Sequence, residues 1–141
     1  MSMSAAELEE FLGQTFPTPL GVIATARQDG SPHVVPVWFR WGAGAVTIWT
    51  TQTRAWVRNL VHDRRVAFAV QTFEAPYPAV VMRGTASVRT ADDAATVEEI
   101  RAITRRYVAS SGVEHYIAGW PDLRTIVTID PQHIVSWSVG G

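Results

Sequence analysis

The sequence predicts a mainly β domain: about seven short, mostly antiparallel strands closed into a barrel, with helices inserted at three places. Three observations predict it. Apolar, β-branched runs recur along the chain, and Asp29-Gly30, Gly42-Ala43-Gly44 and Asp130-Pro131 separate them with tight-turn signals. Helical periodicity is confined to short stretches between those runs. So many hairpin-linked strands in one small domain favour closure, which removes exposed edges.

The elements follow in order. Ser4-Ala5-Ala6-Glu7 has capping-box spacing and starts a helix over about Ala5 to Leu12. Pro17 and Pro19 end that helical character, and Leu20 to Ala26 is a β-rich run. Gln28-Asp29-Gly30-Ser31 turns the chain into a return strand from His33 to Trp41. Pro36 lies inside that strand and marks an edge or a bulge, because it has no N–H for a ladder. Val46 to Thr51 is the next strand, and Arg54 to His62 carries Val57, Leu60 and Val61 on one helical face. Val66 to Phe73 and Ala79 to Thr90 are strands around a Pro-rich turn, with Gly84 a candidate bulge or barrel corner. Asp92 and Asp93 begin a helix that Arg105 and Arg106 end, charge matching dipole at both ends. Val113 to Trp120 is a short helical or irregular excursion. Two last strands, Arg124 to Ile129 and His133 to Val139, meet at Asp130-Pro131.

Composition bounds the function. The 141 residues form one domain, 1–141, with 47% hydrophobic and 18% charged residues. A net charge of -1 argues against nucleic acid or an anionic membrane as partner. No apolar run approaches the roughly 18 residues that span a bilayer. The acidic Met1–Glu10 stretch lacks a basic leader, so a cytoplasmic protein is expected. Cysteine is absent, which removes disulfides, thiolate metal sites and thiol nucleophiles. All 12 basic residues are Arg. Lysine Schiff-base chemistry is therefore excluded, and anions must be held by Arg, hydroxyls or backbone. His33, His62, His115 and His133 show no metal-ligand spacing, and no nucleophile elbow or Gly-rich phosphate loop is present. Any redox or transfer chemistry then belongs to a cofactor.

One segment concentrates useful groups: Trp49-Thr50-Thr51-Gln52-Thr53-Arg54-Ala55-Trp56-Val57-Arg58-Asn59. It reads as a strand end, a hydroxyl-rich turn and a helix start capped by Thr53. Arg54 and Arg58 stand four apart, on one face of that helix near its positive end. Hydroxyls, free N–H groups and two guanidinium groups make a phosphate or carboxylate site; the alternative is a capped surface helix with solvated arginines. Of the six Trp, Trp38, Trp41, Trp120 and Trp137 suit the core or a dimer interface. Trp49 and Trp56 flank the anion site, as a planar ligand with a phosphate arm requires.

Several pieces then fall into a known order. They are Gly21-Val22-Ile23-Ala24-Thr25, Asp29 to Phe39 with its Pro36-Val37-Trp38, Trp49-Thr50-Thr51, Arg58-Asn59-Leu60, Asp63 to Ala67, Arg83-Gly84-Thr85-Ala86, Ile129-Asp130-Pro131 and Trp137. Together they resemble the pyridoxamine 5′-phosphate oxidase-like superfamily of FMN-binding split β-barrels, and within it the coenzyme F420-dependent reductase branch. The resemblance implies a homodimer with two cofactor sites at the interface. It implies that Pro36, Val37 and Trp38 lie along the cofactor ring. The turn after Trp49 and Thr50 and the following helix would hold its phosphate, through Thr51, Thr53, Arg54, Val57, Arg58 and Asn59. Relatives carry a Lys four residues before the Leu matching Leu60, and here that residue is Trp56. Arg64 stands where many relatives have Pro. The function expected is hydride transfer with coenzyme F420 to an electron-poor small organic substrate, Tyr77, Tyr116 or Trp120 shaping the substrate side. The alternatives are an FMN-dependent oxidoreductase of the same fold, or a non-catalytic flavin- or haem-binding dimer.

Overall fold

A computed structural model describes residues 2–120 and 124–139. Its strands are β1 (Gly21–Ala26), β2 (Pro32–Val37), β3 (Arg40–Gly42), β4 (Ala45–Thr51), β5 (Arg65–Gln71), β6 (Ala79–Thr90) and β7 (Arg124–Trp137). The helices are α1 (Ala5–Leu12), α2 (Ala55–His62), α3 (Ala94–Thr104) and α4 (Val113–Ala118). All pairings are antiparallel, in the order β2-β1-β5-β6-β7-β4-β3. No helix among the described residues is long and apolar enough to cross a membrane.

Topology forces this sheet to curl. Laid flat, seven strands about 4.8 Å apart put the two edges about 29 Å from each other. Yet the edge strands β2 and β3 are consecutive, and Val37 and Arg40 are at most about 11 Å apart along three Cα steps. The sheet therefore closes on itself through the Trp38-Phe39 link and not through a ladder, which is the split barrel the sequence predicts. Inside sit Ile23, Phe39, Val46, Ile48, Phe68, Val70, Val80, Met82 and Ile129, all almost fully buried.

Local signals set most of these elements. Ser4 Oγ accepts from the Glu7 N–H while the Glu7 carboxylate accepts from the Ser4 N–H, so α1 begins where the capping box expects. Asp93 caps α3 through the Thr96 N–H. Asp29 accepts from both the N–H and the hydroxyl of Ser31, closing the β1–β2 hairpin around Gly30 at φ 86°. Pro36 lies on the edge strand β2, where its missing N–H costs no ladder bond.

Four local expectations are corrected. The strand drawn from His33 to Trp41 breaks at Trp38-Phe39, because its two halves belong to opposite sheet edges. The two last strands are one, β7. Asp130-Pro131 bends it without ending it, since the register slips there: Arg83 faces His133 but Gly84 faces Pro131, leaving Gln132 as the extra residue of a bulge. The cap of α2 is Arg54, through its backbone; the Thr53 hydroxyl instead shares a hydrogen bond with the Thr51 hydroxyl, 3.0 Å away. Arg106, expected to serve the α3 dipole, is buried and turned inward.

Arg106 and Tyr107 hold the link shut. The Arg106 guanidinium lies over the Phe39 ring at 4.7 Å and donates to the carbonyls of Phe39, Leu12 and Gln14. The Tyr107 hydroxyl accepts from the Phe39 N–H at 3.2 Å and donates to the Pro19 carbonyl at 2.8 Å. Both backbone polar groups of Phe39 are thus satisfied by consecutive residues after α3, as burial requires. The helix itself is anchored by Glu99, whose carboxylate takes a two-pronged bond from Arg40 on β3 and one from the Thr47 hydroxyl on β4. Burial pushes the Glu99 carboxyl upward, but these hydrogen bonds outweigh it and hold the group below its usual value of 4.5.

Two outcomes follow. A Cβ on Gly84 would sit 2.0 Å from the Asp130 carbonyl oxygen, so Gly84→Ala should destabilise the protein by about 1–3 kcal/mol in urea unfolding. A carboxyl depressed on folding contributes stability above its unfolded value and loses it as pH falls through the folded one. Glu99→Gln should therefore unfold at lower urea than the parent at neutral pH, and the gap should narrow as pH drops below 4.5.

Candidate functional site

A cavity of about 440 Å³ opens along the seam, within the size range of small-molecule sites. Val35, Pro36 and Val37 of β2 and Trp38 of the link form one part of its lining. Ile48, Trp49 and Thr50 of β4 form another, with Arg54 and Trp56 from the start of α2. Leu20, Tyr116 of α4 and Trp120 complete it.

Aromatic contacts fix its shape. Trp38 stacks on Tyr107, with ring centroids 4.9 Å apart and planes 5° from parallel, and meets Tyr116 at 4.9 Å and 33°. Trp49 stands edge-on to Tyr116 at 6.2 Å and to Trp120 at 6.4 Å. Its indole N–H donates to the buried Thr104 hydroxyl, 3.1 Å away, which itself donates to the Ile100 carbonyl. Trp49 is thereby tied to α3 and cannot swing without leaving a polar group unpaired.

The electrostatics are one-sided. Among the lining residues Arg54 carries the only formal charge, and none is acidic. Its guanidinium lies 5.4 Å from the centroid of the Trp120 ring and has no carboxylate partner among the described residues. Arg54 also begins α2, whose N-terminus has no side-chain cap. The Ala55 and Trp56 N–H groups find no acceptor among the described residues. A free cation and unpaired helix amides at one end of an aromatic-walled cavity suit a flat ligand that carries an anionic arm. The lining offers hydroxyls at Thr50 and Tyr116 but no carboxylate or imidazole for acid–base work.

The structure brings together Pro36, Val37, Trp38, Trp49, Thr50, Arg54 and Trp56 from the expected set. It places the others elsewhere. Thr51 and Val57 are buried, the latter in the main core. Arg58 turns back to donate to the Thr53 carbonyl. The Asn59 amide reaches the Thr25 hydroxyl at 3.0 Å and His33 Nδ1 at 3.3 Å. Trp56 is 5% exposed and packs in the core, so the ring at the expected lysine position is part of the cavity's floor. Tyr116 and Trp120 line the cavity, while Tyr77 lies on an exposed turn outside it. Leu20, Val35 and Ile48 were not anticipated. For Val35 the signal available was its alternation with His33 and Val37 on the inward face of β2.

Comparison with known proteins bears on this geometry. The family model for pyridoxamine 5′-phosphate oxidase matches residues 5–138. Among solved structures, a conserved hypothetical protein from Mycobacterium tuberculosis is similar at 23% identity and a TM-score of 0.78, over 96% of this chain and 85% of that one. A protein described as an F420 reductase is similar at 24% identity and a TM-score of 0.63, over 82% and 88%. A protein described as FAD-binding, from Mesorhizobium loti, is similar at 17% identity and a TM-score of 0.66, over 99% and 98%. No curated protein matches the chain.

Thr104→Val keeps the shape of the buried side chain but leaves the Trp49 indole N–H without its acceptor. The variant should lose about 1–3 kcal/mol in urea unfolding.

Proposed function

This chain belongs to the pyridoxamine 5′-phosphate oxidase family, and from that premise we propose that it is an oxidoreductase whose seam cavity binds a flavin-type cofactor. The finer reading is coenzyme F420, with an electron-poor small organic molecule as substrate. The observation that carries it is the meeting, in one cavity, of the Pro36–Trp38 wall with the unpaired Arg54 and the uncapped start of α2. The similar structures described as an F420 reductase and as FAD-binding support a cofactor of this chemical kind.

The roles of the residues follow from the geometry. Arg54, the Thr50 hydroxyl and the Ala55 and Trp56 amides would hold the phosphate, with a planar guanidinium doing what a lysine does in relatives. The Thr51–Thr53 hydroxyl pair and Arg58, which donates to the Thr53 carbonyl, brace that turn, while Val57 and Asn59 serve the core and the Thr25–His33 contact. Pro36, Val37 and Trp38 would lie along the ring, and Trp49, Tyr116 and Trp120 would keep water from the reacting face. When bound, a flavin or deazaflavin supplies the hydride chemistry that this lining lacks.

The same reading carries a homodimer. On the outer face of the sheet Pro36, Val22, Ala69, Val81 and Val135 form one cross-strand row over five strands. A row of apolar residues on the outside of a sheet suits burial against a second copy. Because Pro36 belongs both to that row and to the cavity lining, the partner would reach the site.

An absorbance spectrum of the purified protein, followed by titration with coenzyme F420, FMN and haem, tests the cofactor. Arg54→Ala should weaken F420 or FMN binding by roughly 10–100-fold, the range for losing a charged hydrogen bond. Unchanged affinity moves the phosphate elsewhere, and preference for haem or for no ligand removes the oxidoreductase reading. Val22→Arg combined with Val81→Arg should shift the sedimenting species from dimer to monomer, and an unaltered dimer places the interface on another face.

A further inference from the structure

Trp38 belongs to neither edge strand. It sits in the two-residue link between β2 and β3, where no ladder fixes its direction. Two rings constrain it: Tyr116 in the cavity wall, tilted by 33°, and Tyr107 outside the cavity, which alone lies parallel to it. Tyr107 lies parallel against the Trp38 ring, and its hydroxyl is held at both ends, by the Phe39 N–H and by the Pro19 carbonyl. The ring of Tyr107 therefore has no freedom to rotate away, and the next backbone unit after Trp38 is fixed by the same side chain.

We propose that Tyr107 is a positioning residue: by stacking on Trp38 and holding the Phe39 amide, it sets the plane that Trp38 presents to the cofactor ring. The inference rests on the reading of the Pro36–Trp38 wall as the ring's support. Tyr107 touches neither cofactor nor substrate in that reading and acts only through Trp38. Burial pushes its hydroxyl above the usual value, outweighing the Phe39 N–H and Arg106, so the group stays a neutral donor to Pro19.

The test uses the whole protein labelled with 5-fluorotryptophan, the Trp38 resonance being identified by its loss in Trp38→Phe. Tyr107→Leu removes both stack and hydroxyl, whereas Tyr107→Phe keeps the stack. In the ligand-free protein Tyr107→Leu should shift or broaden the Trp38 line, and Tyr107→Phe, which keeps the stack but frees the Phe39 N–H, should move it less. In titrations with FMN and coenzyme F420, Tyr107→Leu should weaken binding of the preferred cofactor about tenfold, as expected for one aromatic pair. Tyr107→Phe should stay within about threefold on the same scale. The other tryptophan lines report whether the fold persists, and Tyr107→Met replaces Tyr107→Leu where the latter does not fold. An unmoved Trp38 line in Tyr107→Leu overturns the proposal whatever binds, and so does an equal loss of affinity in the Leu and Phe variants. A line that moves while neither Tyr107→Leu nor Trp38→Leu changes affinity removes the cofactor reading, and with it the functional part of the inference.

Discussion

Phe39 is the residue on which the rest of the structure depends. Its side chain is fully buried in the barrel and its backbone lies at the seam between two sheet edges, where no neighbouring strand offers hydrogen bonds. A buried peptide unit without partners is costly, so something outside the sheet must satisfy it. Arg106 takes the carbonyl and Tyr107 the N–H. Arg106 extends the same fork to Leu12 and Gln14, fastening the end of α1 to the seam. A lysine ammonium could not present a rigid planar fork to three carbonyls while lying flat on the Phe39 ring. The guanidinium has no carboxylate in this setting; burial lowers its pKa, but a group this basic keeps its charge.

The site inherits its order from that clasp. α3 carries Thr104, which holds Trp49, and the residues just after it carry Tyr107, which stacks on Trp38. Glu99 on the same helix grips β3 and β4 through Arg40 and Thr47. One helix thus aligns two cavity walls that sit on different strands. The tryptophans divide by what their indole tips find. Trp49 bonds Thr104, Trp41 bonds the Glu9 carboxylate at 3.0 Å, and Trp56 packs in the core while also lining the cavity.

Legibility in the sequence followed the range of the interaction responsible. Capping at Ser4 and Asp93 and the Asp29-Gly30 turn are decided within a few residues, and each was readable. The break at Trp38-Phe39 was not, because only the sheet order makes those residues a seam. Asp130-Pro131 looked like a stop for the same reason: its register slip is defined by Arg83 and Gly84, far away in the chain. In the site, the turn from Trp49 to Trp56 was legible from helix-start chemistry, whereas the wall at Pro36–Trp38 came only from the family resemblance. Arg58 was misleading, since spacing alone put it with Arg54, whereas its guanidinium finds a nearer acceptor in the Thr53 carbonyl. Leu20 and Ile48 were silent because an apolar residue facing a cavity reads like one facing a core, and for Val35 alternation gave the inward face but not the cavity.

The missing ladder between β2 and β3 has a consequence for where a ligand can sit at all. A fully paired barrel of about this size either fills its interior with side chains or holds a small molecule inside the ring of strands. Here the wall is interrupted along one line, and the lining runs from β2 and the link on one side of that line to β4 on the other, with the start of α2 joining it. The cavity lies at an interruption of the sheet, flanked by the stacked aromatic rings and bounded by a two-residue tether between the edges.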